Sequence, residues 1–373
     1  MSIEAITIPK WGMTMTEGLL AEWMVAVGDR IERGQEIMEV ESTKTTNAVE
    51  SPVSGILRRI VVPEGDTAPV GALVAVVADS SASDEEIDAF IAQFASSAKQ
   101  DAGEESGVAT PKKIEVGNGS VINTLTIGPE SDSTVVLLHG FGGDLSTWMF
   151  NQDAFAKDFR VVVLDLPGHG ASTPISEGDV LVALIDAVEK AVDSVAGGKL
   201  HLVAHSFGGA VAAALAERKG GAVASISLLA PIGLSTGMNK SFLDDFVAAE
   251  RRRPLKDVLE RLFADPSKIS NDMVEATLQF KRLEGVPKAL GAIKDLIVNE
   301  QGQVQSITQI LRTFKGPVQL IWGDGDQVVP VPTQSEVPQN VTLNTLPGVG
   351  HMPQMESTTE VNRLVLENIA KAK

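Results

Sequence analysis

The chain has 373 residues, 43% of them hydrophobic and 21% charged, the balance of a globular protein with room for two or three domains. It contains no cysteine, which excludes disulfides, thiolate metal sites and a cysteine nucleophile, so any thiol chemistry must come from a cofactor or substrate. A net charge of −18 sets its field against nucleic acid and anionic lipid, and no apolar run reaches the roughly 18 to 20 residues of a membrane span. The opening MSIEAITIPKWG puts Glu4 where a signal peptide is basic and has no apolar stretch, so a cytoplasmic location is expected, with neither membrane nor nucleic acid as partner. The histidines (His139, His169, His201, His205 and His351) show no metal-ligand spacing, and no metal site is expected.

Residues 1–79 read as a carrier-sized all-β domain. Short apolar runs at Ala5–Ile8, Leu19–Trp23, Glu36–Val40 and Ile56–Val61 are separated by Gly, Pro and Asp turns, and no helical period interrupts them. The stretch repeats at an offset of 37 residues. Gly18, Gly28, Asp29 and Gly34 recur as Gly55, Gly65, Asp66 and Gly71, while Leu20, Val25, Ile37 and Val40 recur as Leu57, Val62, Val74 and Val77. Matched turn glycines and core aliphatics predict two similar half-domains about a pseudo-twofold axis. Between the halves lies Glu41-Ser42-Thr43-Lys44-Thr45-Thr46, a tight link whose central lysine is directed to solvent.

Residues 80–113 are rich in Ser, Ala, Asp and Glu and read as an acidic flexible linker. Inside it, residues 84–99 space Ile87, Phe90, Ile91 and Phe94 as one face of a short helix behind an N-cap at Ser83. This helix is either a docking element or a helix folded back on its own domain.

Residues 114–373 alternate apolar runs with helical stretches, which predicts a mostly parallel sheet. The expected strands are Thr134–Leu138, Val161–Leu164, Leu200–Ala204, Ala224–Leu229, Val318–Trp322 and Thr342–Leu346. From about 232 to 315 there is no strand signal. Amphipathic segments there, Phe242–Arg252 and Met273–Leu283 among them, predict a helical cap. Arg251–Arg253 form a basic cluster on it, which reads either as a contact for phosphates or as cations at a helix C-terminus before Pro254.

Within that unit, Ala204-His205-Ser206-Phe207-Gly208-Gly209 follows an apolar strand and precedes a helix of small residues. This is the strand–turn–helix context in which a nucleophilic serine stands at the apex of a strained turn. Upstream, Leu138-His139-Gly140-Phe141-Gly142-Gly143 follows the first strand. Backbone N–H groups of Phe141 and Phe207 are the candidates for an oxyanion hole, with His139 bracing the loop. Downstream, IWGDGDQVVP (321–330) and GVGHMPQMES (348–357) supply an acid and a base, Asp326 and His351, with Asp324 as the rival acid.

PKWGMTMTEG (9–18), VGDRIERGQEIMEVESTK (27–44), SPVSGILRRIVVPEGD (51–66) and VGALVAVV (70–77) resemble a lipoyl domain. The resemblance places the attachment lysine at Lys44, and Thr43 and Thr45 stand where a biotinyl domain carries methionines. The serine, acid and histidine motifs, in that chain order, resemble α/β-hydrolases, where Asp326 takes the acid position. Asp165-Leu166-Pro167-Gly168-His169-Gly170 also resembles a segment of α/β-hydrolases, and that resemblance implies a structural loop rather than chemistry. The fold class is therefore multidomain: an N-terminal all-β lipoyl-type flattened barrel or sandwich, and a C-terminal α/β-hydrolase fold with a helical cap. A lipoyl domain followed by an α/β-hydrolase resembles the dihydrolipoamide acetyltransferase of acetoin dehydrogenase systems. That resemblance implies lipoate on Lys44 and coenzyme A as co-substrate. It implies as partners a thiamine-diphosphate-dependent acetoin-cleaving component, a dihydrolipoamide dehydrogenase and a lipoate-attaching enzyme. The His-x-x-x-Asp-Gly motif of 2-oxoacid acyltransferases is absent, and no peripheral subunit-binding domain is recognisable, which leaves 84–99 as the docking candidate. Release of the acyl group to water, or a carrier whose hydrolase fold is not catalytic, are the alternatives.

Overall fold

The computed structural model describes residues 3–8, 17–41, 46–79, 81–100, 109–235 and 237–372. They form two compact units that divide between residues 108 and 109.

In the first unit, two four-stranded antiparallel sheets enclose a core of Ile6, Leu20, Ile37, Val40, Leu57, Val74 and Val77. One sheet runs Ile3–Thr7, Leu73–Ala78, Gly55–Ile60, Arg30–Ile31; the other runs Thr46–Glu50, Glu36–Glu41, Glu17–Trp23, Thr67–Pro69. A shift of about 37 residues carries Glu17–Trp23, Arg30–Ile31 and Glu36–Glu41 onto Gly55–Ile60, Thr67–Pro69 and Leu73–Ala78, each in the same place of the other sheet. The hydrogen bonds repeat with it: Gly28 N–H donates to Leu57 O and Gly65 N–H to Leu20 O, both at 2.8 Å. Gly28 (φ 103°) and Gly65 (φ 87°) both occupy the left-handed region, which explains why the repeat retains glycine at that turn. Strands Glu36–Glu41 and Thr46–Glu50 pair antiparallel, with Glu41 opposite Thr46. Lys44 lies outside the described residues.

The helix expected at 84–99 spans Asp84–Gln100. Ser83 and Glu86 form a reciprocal capping box, with Glu86 N–H to Ser83 Oγ at 3.2 Å and Ser83 N–H to Glu86 Oε2 at 2.8 Å. Its apolar face lies against its own unit. Ile87 is fully buried, and Phe90, Ile91 and Phe94 pack with Ile3, Ala5, Leu73 and Val76 of the first sheet. The reason lies in the strand Leu73-Val74-Ala75-Val76-Val77-Ala78, apolar without alternation. Val74, Ala75 and Val77 face the sandwich interior, so Leu73 and Val76 need cover on the other side. Ion pairs Arg58–Asp84 (3.2 Å) and Arg59–Asp88 (2.9 Å) flank the contact.

The second unit is built on an eight-stranded sheet. Six parallel strands come in the order Val341–Leu346, Val318–Gly323, Val223–Leu229, Lys199–His205, Ser133–Leu138 and Arg160–Leu164. An antiparallel pair, Ser120–Ile127 and Lys112–Gly117, closes one edge. That last strand begins inside the stretch read as linker, because its first two residues, Lys112 and Lys113, are exposed at the sheet edge and only Ile114 and Val116 turn to the core. Along the central strands alternate residues divide between the faces. Val136, Leu138, Val162 and Leu164 join one core with the cap, while Val135, Leu137, Val161 and Val163 join another with Phe155, Val361 and Val365.

The cap contains helices Lys240–Ala248, Arg252–Leu259, Asn271–Lys281 and Val286–Ile297. It also holds a two-residue hairpin, Val298–Asn299 with Gly302–Gln303, too short for a periodic signal. The basic cluster does not sit at a helix C-terminus. The first cap helix stops at Ala248, and Arg251 is the N-cap of the next. Buried Lys281 sets this break: its ammonium donates to the carbonyls of Phe246, Val247 and Ala249, terminating the first helix. Pro254 then falls in the first turn of the second helix, where its missing N–H costs nothing.

Candidate active site

Three strand ends converge on one side of the sheet. Ser206 follows Lys199–His205, Asp326 lies in the turn after Val318–Gly323, and His351 follows Val341–Leu346. The carboxyl ends of parallel strands are where open α/β sheets place their ligands. Ser206 has φ 51° and ψ −117°, a conformation that L-residues rarely adopt, held between its strand and the helix Phe207–Lys219.

Ser206 Oγ lies 3.0 Å from His351 Nε2, and His351 Nδ1 lies 2.7 Å from Asp326 Oδ2. The partners fix the tautomer: Nδ1–H donates to the carboxylate, leaving Nε2 to accept from the serine. Asp326 is fully enclosed, and its other oxygen accepts the N–H groups of Val328 (2.8 Å) and Val329 (2.9 Å). Asp324 is turned elsewhere and accepts Gly348 N–H at 2.7 Å. Sequence reasoning missed Trp322, whose Nε1–H reaches Asp326 Oδ2 at 3.1 Å and Val329 O at 3.0 Å; its spacing four residues before the acid was the available signal.

It missed His205 as well. This imidazole, beside the nucleophile, lies 4.8 Å from the His351 ring and donates from Nε2 to His351 O at 2.8 Å. Burial, with the neighbouring His351, holds it well below the usual histidine range, so it stays a neutral donor. Gly140 packs against both residues. A Cβ there would stand 2.8 Å from His205 Nδ1 and 2.9 Å from Ser206 Cβ.

The loop after Ser133–Leu138 is braced by two buried histidines. His139 holds Gly140 O (2.7 Å) and Leu166 N–H (2.9 Å); His169 Nε2 accepts Gly142 N–H (3.0 Å). Burial pushes both imidazoles down, His169 to about 3. Asp165 collects Asn123, Leu145 N–H and Ala171 N–H at 2.7–2.9 Å, and burial raises its carboxyl. With Gly142 and Gly143 N–H engaged, the backbone N–H of Phe141 remains without a partner among the described residues, as does that of Phe207 at the helix start.

Above Ser206 opens a cavity of about 130 Å³, walled by cap and sheet residues including Phe141, Phe242, Phe246, Met273, Phe280 and Met355. Among the described residues there is no cluster of acidic and histidine side chains that could hold a metal ion.

Residues 133–358 match the family described as alpha/beta hydrolase fold, and residues 4–77 match that described as biotin-requiring enzyme. A meta-cleavage product hydrolase from Pseudomonas fluorescens IP01 superposes with a TM-score of 0.62 at 22% identity, over 70% of this chain and 98% of its own, a likeness of fold. The acetoin cleaving system's dihydrolipoyllysine-residue acetyltransferase component from Pseudomonas putida is 40% identical over 99% of both chains. This chain belongs to that family. The corresponding component from Cupriavidus necator is 38% identical over 99% of this chain and 98% of its own, so family membership spans both units.

Proposed function

We propose that this chain is a dihydrolipoyllysine-residue acetyltransferase of an acetoin-cleaving system, with Lys44 carrying lipoate and Ser206, His351 and Asp326 transferring its acetyl group to coenzyme A. The observation that carries the reading is the Ser206–His351–Asp326 chain, at 3.0 and 2.7 Å, in one polypeptide with a biotin/lipoyl-type unit. The lipoyl arm supplies the thiol on which the acyl unit arrives, and tethering keeps that thiol at about millimolar effective concentration.

His351 Nε2 takes the hydroxyl proton as Ser206 Oγ attacks the thioester carbonyl. Backbone N–H groups of Phe141 and Phe207 receive the developing oxyanion. The carbon–sulfur bond breaks, the proton passes from His351 to the departing thiolate, and an acetyl-serine remains. The coenzyme A thiol, deprotonated by His351, then attacks the ester, and the proton returns to Ser206. Asp326, oriented by Trp322, stabilises the imidazolium through both transfers.

The partners of this reading are a thiamine-diphosphate-dependent acetoin-cleaving component that loads the arm, a dihydrolipoamide dehydrogenase that reoxidises it, and an enzyme that attaches lipoate. No helix among the described residues is long and apolar enough to cross a membrane, and the reading places the protein in the cytoplasm. Supplied with acetyl-dihydrolipoamide and coenzyme A, the intact protein is expected to form acetyl-coenzyme A and the Ser206→Ala variant none. Undiminished transfer by the variant removes the serine from the mechanism, and acetate as the main product makes water the acceptor. Intact-mass measurement of protein from its native host tests Lys44: a lipoyl-sized increment is expected, lost in Lys44→Arg.

A further inference from the structure

The cavity above Ser206 is larger and less polar than an acetyl group requires. A water-sized sphere takes roughly 10–15 Å³ of such space, so about 130 Å³ admits on the order of ten non-hydrogen atoms. The methyl, carbonyl carbon and oxygen of an acetyl group occupy a minor part of that. Phe242, Phe246, Met273, Phe280, Ile297 and Met355 make up much of the cavity's lining, with Ser146, Thr147 and Thr277 as uncharged polar members.

The wall also lacks charge to offer. The one carboxylate among its described lining residues, Asp144, is engaged by Ser146 N–H at 2.8 Å and by the Ser146 hydroxyl. His205 is a neutral donor to His351 O. Among the described residues no lysine or arginine lines the space; Lys281, next to Phe280, directs its ammonium to backbone carbonyls at the end of the first cap helix. A phosphate drawn into this cavity would lose its hydration without a counter-charge, so the phosphates of coenzyme A stay outside. What matches an apolar, flexible wall of phenylalanine and methionine is hydrocarbon.

We propose that this cavity is a binding site for a linear aliphatic chain joined to the reacting thioester, so that the site selects substrates by chain as well as by acetyl group. The inference rests on Ser206 as the nucleophile. Two sources offer the same chemistry: an acyl group longer than acetyl, or the hydrocarbon arm of the dihydrolipoyl thiol. Each CH₂ buried against the wall is expected to raise kcat/KM about threefold to fourfold.

The test uses the full chain and follows thiol release, with and without coenzyme A. Substrates are acetyl, butyryl, hexanoyl and octanoyl thioesters of N-acetylcysteamine, and acetyl-dihydrolipoamide. A rise of at least tenfold from acetyl to hexanoyl on the short thiol supports the proposal and assigns the chain to the acyl side. A tenfold advantage of acetyl-dihydrolipoamide over acetyl-N-acetylcysteamine, with a flat acyl series, supports it and assigns the chain to the arm. Values within about threefold across both series overturn it. Met273→Trp, which fills the cavity from the cap, is expected to reduce the chain preference at least fivefold, with Ala276→Leu as a milder filling variant. Full retention of the preference in both, with melting as in the parent protein, also overturns it. Thiol release without acetyl-coenzyme A would sink the proposed transfer while leaving the chain dependence readable; no thiol release from any thioester sinks both.

Discussion

At the scale of single residues, the choice between Asp324 and Asp326 is decided by hydrogen-bond donors. Asp326 sits in a fully enclosed position with Trp322 Nε1–H, two backbone N–H groups and His351 around it, while Asp324 is occupied by Gly348 N–H. In the mechanism proposed above, Asp326→Asn offers an amide where His351 Nδ1–H needs an acceptor, and kcat is expected to fall by about 10⁴-fold. Asp324→Asn is expected to stay within about tenfold of the parent; steady-state kinetics of the two variants on acetyl-dihydrolipoamide would invert this order if Asp324 were the acid. Ser206 and His351 were legible in sequence because each lies in a short motif bound to one strand end. Their neighbours were not. His205 bonds to a carbonyl 146 residues away, and no local pattern carries that pairing.

At the scale of elements, the helix Asp84–Gln100 shows how far a pattern reaches. Spacing and the Ser83 cap predicted the helix and its apolar face but left two possible destinations for that face. The strand Leu73–Ala78 settles it, because its second face is apolar too and lies beneath Ile87. Ile87→Ala removes most of a fully buried side chain from this contact, a loss of about 2–5 kcal/mol. Hydrogen exchange of the amides of residues 87–100 should accelerate accordingly; protection unchanged from the parent would mean that the helix is held by something else. The cap offers the converse case. Helical periodicity continued through residues 242–252, yet the helix ends at Ala248 because Lys281, a long way off in sequence, satisfies its final carbonyls.

At the scale of the whole molecule, the α/β unit buries four histidines as neutral groups. His139, His169, His201 and His205 all lie below the ordinary histidine value of 6.5, burial being the first cause for each and His169 reaching about 3. The unfolded chain takes up protons on these imidazoles near pH 6.5 and the folded one does not, so stability rises with pH through that window. Their contribution is fully present above about 6.5 and is lost as pH falls toward the folded values. Asp165 acts oppositely, since burial raises its carboxyl above 3.8 and its contribution declines as pH rises through the raised value. Four groups against one predict that the melting temperature of this unit falls steadily between pH 7 and pH 5. A calorimetric transition flat across that range would contradict the neutral, buried state of these rings.

The sequence by itself determined the two-unit architecture, the half-domain repeat, six central strands of the α/β sheet, and the serine, acid and histidine motifs. Each of these is written in residues close together along the chain: turn glycines at a fixed offset, apolar runs, a strand–turn–helix word. Only the tertiary structure decided which donors surround Asp326, where the helix Asp84–Gln100 lies, where the cap helices break and what lines the space above Ser206. Those outcomes depend on groups far apart in sequence competing for the same donor, carbonyl or apolar surface. Such competition is resolved by distance in space, which spacing along the chain does not encode.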